Sequence, residues 1–174
     1  MHLRRLRPEE SAVERFVTDL WIPYNRDLSD VVEDHGLVEG EQTVTEQTEF
    51  TMEQLDSIDR YCWIAVDGAS DPLADLAETD GTFAGYLLGV VEAAPSVFDC
   101  SDRFVIGDVY VASSYRGTGL ADRLVGRAAD QAREDGCSEL ALDVDLSNER
   151  ARAFYAKLGF EPARQRMRLP VDEL

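Results

Sequence analysis

A short segment, Arg116-Gly117-Thr118-Gly119-Leu120-Ala121, has residue types that could bind an anion. It lies between residues 104–112, which have the pattern of a strand, and a helical pattern that begins at Leu120. Glycine lets the backbone approach a ligand closely, and the free N–H groups of a first helical turn point toward an anion. This environment suits a pyrophosphate. Taken alone, however, two glycines at this spacing are more often a plain turn beside a solvated arginine.

Two common phosphate-binding loops do not fit this segment. No Gly-Lys-Ser or Gly-Lys-Thr follows it, as a Walker loop requires, and the third glycine of the dinucleotide fingerprint is missing. A nucleotide-binding domain is therefore only a rival interpretation.

The segment belongs to a longer pattern that resembles the GNAT acyltransferase superfamily. Arg116, Gly119 and Ala121 match the Arg/Gln-x-x-Gly-x-Gly/Ala signature. Residues 148–160 match the second hallmark, Asn-x-x-Ala-x-x-Phe-Tyr-x-Lys-x-Gly-Phe, and residues 108–111 resemble the strand that pairs with the pantetheine arm. The order and spacing agree over about residues 104–160, while the N-terminal half fits only by its order of elements.

The resemblance implies an α/β fold with a mixed, mostly antiparallel sheet flanked by helices. The sheet is expected to be splayed at the acetyl-CoA site, between strands ending near Ala112 and Leu146. We expect a single N-acetyltransferase domain over residues 1–174, with its motif-bearing core at about 104–160. The implied activity is transfer of an acetyl group from acetyl-CoA to an amine, by direct attack in a ternary complex without a metal. A non-catalytic acyl-CoA sensor is the alternative.

The resemblance also assigns roles to individual residues. Asn148 is expected to hydrogen-bond the pantetheine arm, and Tyr155 to act as the general acid that protonates the leaving thiolate. The complete set expected to bind the cofactor is Val109, Tyr110, Val111, Arg116, Gly117, Thr118, Gly119, Leu120, Ala121 and Asn148. Without the motif, Phe154 and Tyr155 would more often be a core pair.

The general base is less constrained by the sequence. Asp143 is the first candidate, because it lies on the less apolar face of a strand leading to Asn148 and occupies a position where ribosomal-protein alanine acetyltransferases carry glutamate. Asp108, Glu92 and a water molecule stay open as alternatives. In the resemblance, Trp21 and Tyr24 could form part of the acceptor wall, although core packing is the more common role for such residues.

Periodic patterns predict the elements that position these residues. Strands are predicted at residues 2–7, 61–66, 82–94, 104–112 and 140–146, with a final strand through Met167 and Leu169. The first helix is predicted to begin at about residues 8–10 and to run to a break near Pro23. Further helices are predicted over residues 28–36, over 52–60 from the capping-box spacing of Thr51 and Gln54, over 120–135, and over 148–158. Gly136 and Gly159 are the expected stops, and His35 is expected to be an ordinary helix-end residue.

Charge and composition limit the partners. The chain has 35 acidic and 17 basic residues, a net charge of -18, and Lys157 is its single lysine. Such a chain repels nucleic acid phosphates, so nucleic acid binding is disfavoured. The acidity predicts a salt-adapted, haloarchaeal-type cytoplasmic protein. No apolar run is long enough to cross a bilayer.

Three widely spaced cysteines, Cys62, Cys100 and Cys137, predict neither a disulfide framework nor a metal site. The acceptor amine is open: a small molecule, a protein N-terminus or a lysine would each fit. Oligomeric state is open too, with a homodimer as one option.

Overall fold

A five-stranded mixed sheet forms the centre of the fold. The computed structural model describes residues 1–33, 35–38, 40, 42–167 and 169–173. The strands are β1 (His2–Arg5), β2 (Arg60–Asp67), β3 (Thr82–Glu92), β4 (Arg103–Val111) and β5 (Glu139–Leu142), in the spatial order β1-β2-β3-β4-β5. The first three pairings are antiparallel and the β4–β5 pairing is parallel. This confirms the predicted mixed, mostly antiparallel α/β fold.

The described residues contain five α-helices and one π-helical segment. They are α1 (Glu10–Phe16), the π segment (Val17–Trp21), α2 (Ile22–Ser29), α3 (Thr43–Leu55), α4 (Leu120–Glu134) and α5 (Glu149–Lys157). Residues 1–143 form one compact unit, which holds the sheet and α1 to α4, and residues 144–174 form a second, which holds α5. The expectation of a single domain stays a prediction.

The sheet and two amphipathic helices bury the core of the first unit. On α1 and the π segment, the apolar stripe predicted from residues 13–20 is fully buried: Val13, Phe16, Val17 and Leu20. On α4 the buried stripe comprises Leu120, Leu124, Val125, Ala128 and Ala132. Both helices therefore form where the sequence period of 3.6 predicts them, and α4 ends before Gly136, which has the expected positive φ of 75°.

A β-bulge in β4 divides that strand into two parts. Leu88 of β3 pairs with Asp108, but Gly89 pairs with Ile106, so Gly107 is an extra residue on β4. Side chains of a strand alternate between the two faces of the sheet, so one extra residue reverses this alternation. Even-numbered residues of β4 therefore point to one face before the bulge and to the opposite face after it. Phe104 packs against Trp63 on one face, whereas Asp108 contacts Tyr86 on the other.

The bulge coincides with the end of the β4–β5 pairing. That pairing runs from Arg103 opposite Glu139 to Ile106 opposite Leu142. From there β4 continues to Val111 without β5 beside it in the described part of the chain. β5 thus ends at Leu142 rather than near Leu146, and the splay of the two strands stays a prediction.

Two predicted helix boundaries were wrong. Pro23 does not break the first helix, because a π turn precedes it: the Ile22 N–H donates to the Val17 carbonyl oxygen, and this wider turn accommodates the proline ring. The second helix, predicted to continue from Leu28 to Gly36, instead ends at Ser29. Asp34, within that predicted span, lies outside the described residues.

Three further predictions need correction. The helix predicted at residues 52–60 spans 43–55 instead, so Thr51 is a buried residue inside α3 and not its cap. The strand predicted at 140–146 stops early because Asp145 forms a turn, in which its side chain accepts a 2.8 Å hydrogen bond from the Ser147 amide. No strand forms in the described residues around Met167 and Leu169, and Arg168 between them lies outside the description.

We expect Gly89→Ala to destabilise the fold beside the bulge. The added Cβ would lie 2.3 Å from Phe104 Cε1 and 2.9 Å from the Val105 carbonyl oxygen, and Phe104 is fully buried. Overpacking of this kind costs about 1–3 kcal/mol in the free energy of unfolding. Urea unfolding checks this value. Gly126→Ala on α4 is the control, because its added methyl meets open space, and it should stabilise by about 0.5–1 kcal/mol. An unchanged midpoint for Gly89→Ala would mean that the bulge relaxes freely.

Candidate functional site

Beyond the bulge, one edge of β4 has no strand paired with it in the described part of the chain. The Ala112 N–H donates to the Ala84 carbonyl oxygen of β3 at 2.9 Å. Backbone groups of successive strand residues point to opposite edges, so those of Val109 and Val111 point away from β3. Tyr110 differs, because its backbone faces β3 and its side chain is 8% exposed. Of the three strand residues expected to contact a ligand, two therefore present backbone groups at the open edge.

The glycine loop leads from this edge into α4. Gly117 and Gly119 have φ values of 77° and 81°, in the left-handed region that favours glycine. An added Cβ would meet nothing within 4 Å at either position, so backbone conformation and not crowding calls for glycine.

The N-terminus of α4 has no capping side chain, because its N-cap residue is Gly119. The N–H groups of the first turn, from Leu120 and Ala121 onward, consequently lack helical acceptors. Such groups, together with the helix dipole, form an anion site. The segment thus has the backbone arrangement of an anion site, and phosphate binding by it stays a prediction.

Side chains in and beside the loop form hydrogen bonds and an ion pair within the first unit. The Thr118 hydroxyl donates to the Tyr115 carbonyl oxygen at 2.7 Å, and the Tyr115 hydroxyl donates to Asp67 Oδ2 at 3.3 Å. Arg116 Nε donates to the Val111 carbonyl oxygen at 3.1 Å, and Arg116 Nη2 forms an ion pair with Asp27 on α2. Sequence reasoning missed Asp27 and Asp67, because no local pattern links them to a loop so distant in the chain.

A carboxyl group surrounded by aromatic rings lies just past the bulge. The Tyr86 hydroxyl donates to Asp108 Oδ2 at 3.2 Å. The rings of Tyr24, Tyr86 and Tyr110 form a triangle with centroid separations of 5.9, 5.9 and 6.3 Å. Burial raises the pKa of Asp108, while hydrogen bonds from Tyr86 and Tyr24, and the nearby His35, partly oppose this rise. Burial likewise raises the pKa of Tyr86, which keeps it a hydrogen-bond donor.

Asn25 links α2 to the segment that contains His35. His35 Nε2 lies 3.0 Å from Asn25 Oδ1, so Nε2 carries the proton and donates. Asn25 Nδ2 in turn donates to the Trp21 carbonyl oxygen at 2.9 Å. His35 is therefore not an ordinary helix-end residue, since it lies beyond α2 and near enough to Asp108 to lower the pKa of that carboxyl group.

The other base candidates lie in more ordinary surroundings. Asp143 is exposed and directly follows β5. Glu92 pairs with Arg103 across β3 and β4 at 3.1 Å, and both side chains of this pair are more than a third exposed. Asp108 differs from both in accepting a tyrosine hydrogen bond beside packed aromatic rings.

In the second unit, α5 carries the two remaining predicted residues. Asn148 is the N-cap of α5, where its Oδ1 accepts a 3.1 Å hydrogen bond from the Ala151 N–H. This cap uses the side-chain carbonyl and leaves the amide NH2 as the group that could donate to a ligand. Tyr155 is half-buried, and its ring lies 5.2 Å from Phe154 and 5.5 Å from Phe160.

The described residues contain neither a candidate metal-binding cluster nor a helix that could span a membrane. No group of three or more His, Cys, Asp or Glu side chains there is placed to hold a metal ion. Burial raises the pKa of the Cys62 thiol. Among the helices of the described chain, none has the length and apolar character needed to span a membrane.

Comparison with known proteins identifies relatives. The model of the acetyltransferase (GNAT) family matches residues 38–160. An N-alpha-acetyltransferase, MAK3, of Arabidopsis thaliana is 41% identical over 63 residues, which cover 36% of this chain and 33% of that protein. Glucosamine 6-phosphate N-acetyltransferase of Trypanosoma brucei brucei is 42% identical over 66 residues, covering 38% and 43%. These alignments therefore span less than half the length of either relative.

A solved structure shares the whole fold. The aminoglycoside N-acetyltransferase AAC(6')-Iy in complex with CoA superposes with a TM-score of 0.66, covering 97% of this chain and 93% of that one. The sequence identity is 17%, so this likeness concerns the fold alone.

We expect Gly119→Trp to abolish the stabilisation of this protein by coenzyme A. A large side chain would obstruct the anion site, whereas binding in the unmodified chain should stabilise by about 2.7 kcal/mol at a ligand concentration of 100 Kd. Thermal unfolding with and without coenzyme A measures the effect. Gly136→Trp at the other end of α4 is a matched control, because its φ of 75° imposes a similar left-handed backbone cost of about 1–2 kcal/mol. If coenzyme A stabilises Gly119→Trp and Gly136→Trp equally, the assignment of the loop as the coenzyme A site is refuted.

Proposed function

Since the chain belongs to the acetyltransferase (GNAT) family, we propose that it transfers an acetyl group from acetyl-CoA to an amine. The observation that carries this proposal is the open β4 edge, with an uncapped helix N-terminus at one end and Asp108 at the other. Acetyl-CoA supplies an activated thioester, and the chain supplies the groups that hold it and handle protons.

The dimensions of this edge suit an extended ligand. The strand from Asp108 to Val111 spans about 10 Å at a rise of about 3.3 Å per residue. A pyrophosphate at the first turn of α4 would leave the pantetheine arm beside the backbone groups of Val109 and Val111. The reactive end of the arm would then lie toward the bulge, where Asp108 is located.

For the general base we propose Asp108 ahead of Asp143, which the sequence favours. An attacking amine must lose a proton, and a carboxyl group with a raised pKa holds that proton more readily than an exposed one. The hydrogen bonds from Tyr86 and Tyr24 fix the orientation of the Asp108 carboxyl. Asp143, in contrast, is exposed.

For the general acid, the motif in residues 147–160 nominates Tyr155, and Asn148 as a pantetheine contact. The cap on α5 supports this pairing within the second unit, because it fixes the start of the helix that carries Tyr155. Both roles stay predictions, as does direct attack in a ternary complex.

The acceptor amine is the least defined part of the proposal. The relatives act on a protein α-amine, on a sugar phosphate amine and on an aminoglycoside, by their names, so they favour no single class. Thiol release with a panel of amines, with products identified by mass spectrometry, tests the activity. Saturable coenzyme binding without release for any amine would instead indicate the acyl-CoA sensor. A cytoplasmic location stays a prediction.

We expect Asp108→Asn to lower turnover by about 100-fold or more, within the usual range for loss of a general base. In the unmodified protein, activity should rise with pH through the raised pKa of Asp108, because the base must be deprotonated. This rising part of the pH–activity profile should lie at a pH above the ordinary range of carboxyl pKa values. It should disappear in Asp108→Asn. Asp143→Asn is the comparison: if it, and not Asp108→Asn, removes the rising part, the base is Asp143.

We also expect salt to strengthen both folding and coenzyme binding. A net charge of -18 repels an anionic cofactor, and raising potassium chloride from about 0.1 M to above 1 M shortens the screening length from about 10 Å to about 3 Å. The unfolding midpoint and the coenzyme A Kd, measured across this range, provide the test. Sucrose at equal osmolality is the control, since it stabilises without screening. If both quantities are best at low salt, the acidity needs another explanation.

A further inference from the structure

Helix α2 contacts both ends of the proposed site. Tyr24 of this helix packs against Tyr86 and Tyr110 beside Asp108. One turn further on, Asp27 forms its ion pair with Arg116 of the glycine loop. The same eight-residue helix therefore joins the carboxyl cluster to the cofactor loop.

This helix is held less firmly than the helix before it. In α1 and the π segment, Val13, Phe16, Val17 and Leu20 are completely buried, whereas Asn25 is the buried residue of α2. A π turn separates the two, and such turns often occur at functional sites. Elements with few buried apolar contacts are the ones that open most readily. The Asp27 ion pair is the contact that joins α2 to the side chain of Arg116 in the loop.

An incoming pyrophosphate would compete with Asp27 for the same cation. Arg116 is the single basic residue between positions 104 and 122. Its guanidinium binds the Val111 carbonyl oxygen and the Asp27 carboxylate, and both side chains of the ion pair are about 40% exposed. A doubly charged pyrophosphate at the first turn of α4 attracts Arg116 more strongly than one exposed carboxylate does.

We propose that Asp27 is a positioning residue that couples the two halves of the site. The Asp27–Arg116 pair holds α2 against the loop while the loop is empty, and a pyrophosphate that draws Arg116 away releases α2. Tyr24 then shifts beside Asp108, so that cofactor loading adjusts the acceptor side. This inference rests on the proposed function, because it requires the loop to bind coenzyme A.

Trp21 provides a direct reporter of this movement. It is the last residue of the π segment and immediately precedes α2, and its carbonyl oxygen accepts from Asn25. The chain has two tryptophans, and the other, Trp63, is buried on β2 and stacked on Tyr61. Labelling with 5-fluorotryptophan gives two ¹⁹F NMR resonances, which Trp21→Phe assigns.

In the unmodified chain, saturation with coenzyme A should shift the Trp21 resonance and leave the Trp63 resonance in place. In Asp27→Asn, the Trp21 resonance should already lie near its coenzyme-saturated position and should not move further. The Kd of coenzyme A should fall by about two- to fivefold in this variant, the range expected for an exposed ion pair that no longer competes.

Asp67→Asn is the matched control. Asp67 also contacts the loop, through the Tyr115 hydroxyl, and is 41% exposed, as Asp27 is, but it lies on β2. Its loss removes one negative charge near the loop, yet the Trp21 response should persist. The coupling is refuted if coenzyme A binds the unmodified chain without shifting Trp21, if Asp27→Asn retains the shift, or if Asp67→Asn also abolishes it. Absence of coenzyme A binding to the unmodified chain would refute the proposed function and this coupling together.

Discussion

The parting of β4 from β5 after Ile106 is the constraint on which the rest of the first unit's site depends. One extra residue, Gly107, shifts the register of β4 against β3 and turns Asp108 to the face opposite Phe104. The β4–β5 pairing ends one residue earlier, at Ile106, because β5 ends at Leu142, so backbone groups of Val109 and Val111 have no β5 residue paired with them. The unpaired edge and the half-buried Asp108 carboxyl therefore lie on the same four residues of β4.

Burial distinguishes Asp108 in a chain where carboxyl groups are abundant. Most of the 35 acidic residues differ little from one another in sequence, and a net charge of -18 says nothing about which one could move a proton. Burial among tyrosine rings raises the pKa of this group, while the Tyr86 hydroxyl that donates to it partly opposes the rise and fixes its orientation. The local environment, and not the acidity of the whole chain, is what makes one carboxylate suitable as a base.

The fold and the loop could be predicted from sequence because their signals are local. Helical and strand periods identified α1, α4 and the central strands, and two glycines before a helix identified the loop with its positive φ angles. Contacts between distant segments left no such signal: Asp27 with Arg116, and Tyr86 with Asp108. The predicted ends of helices and strands were wrong for a related reason. The π turn at Pro23 and the turn at Asp145 depend on competing hydrogen bonds, which the periodicity of the sequence does not reveal.

The π turn before α2 also fixes the rotation of that helix about its own axis. Each residue of an α-helix turns the chain by about 100°, so one residue accommodated in a wider turn changes the direction of every side chain that follows. Buried residues on one face of a regular α-helix recur every three or four positions. Asn25, in contrast, is buried five positions after Leu20. The directions of Tyr24 and Asp27 are therefore set by the number of residues in the π segment, and a single deletion there would redirect both without altering either side chain.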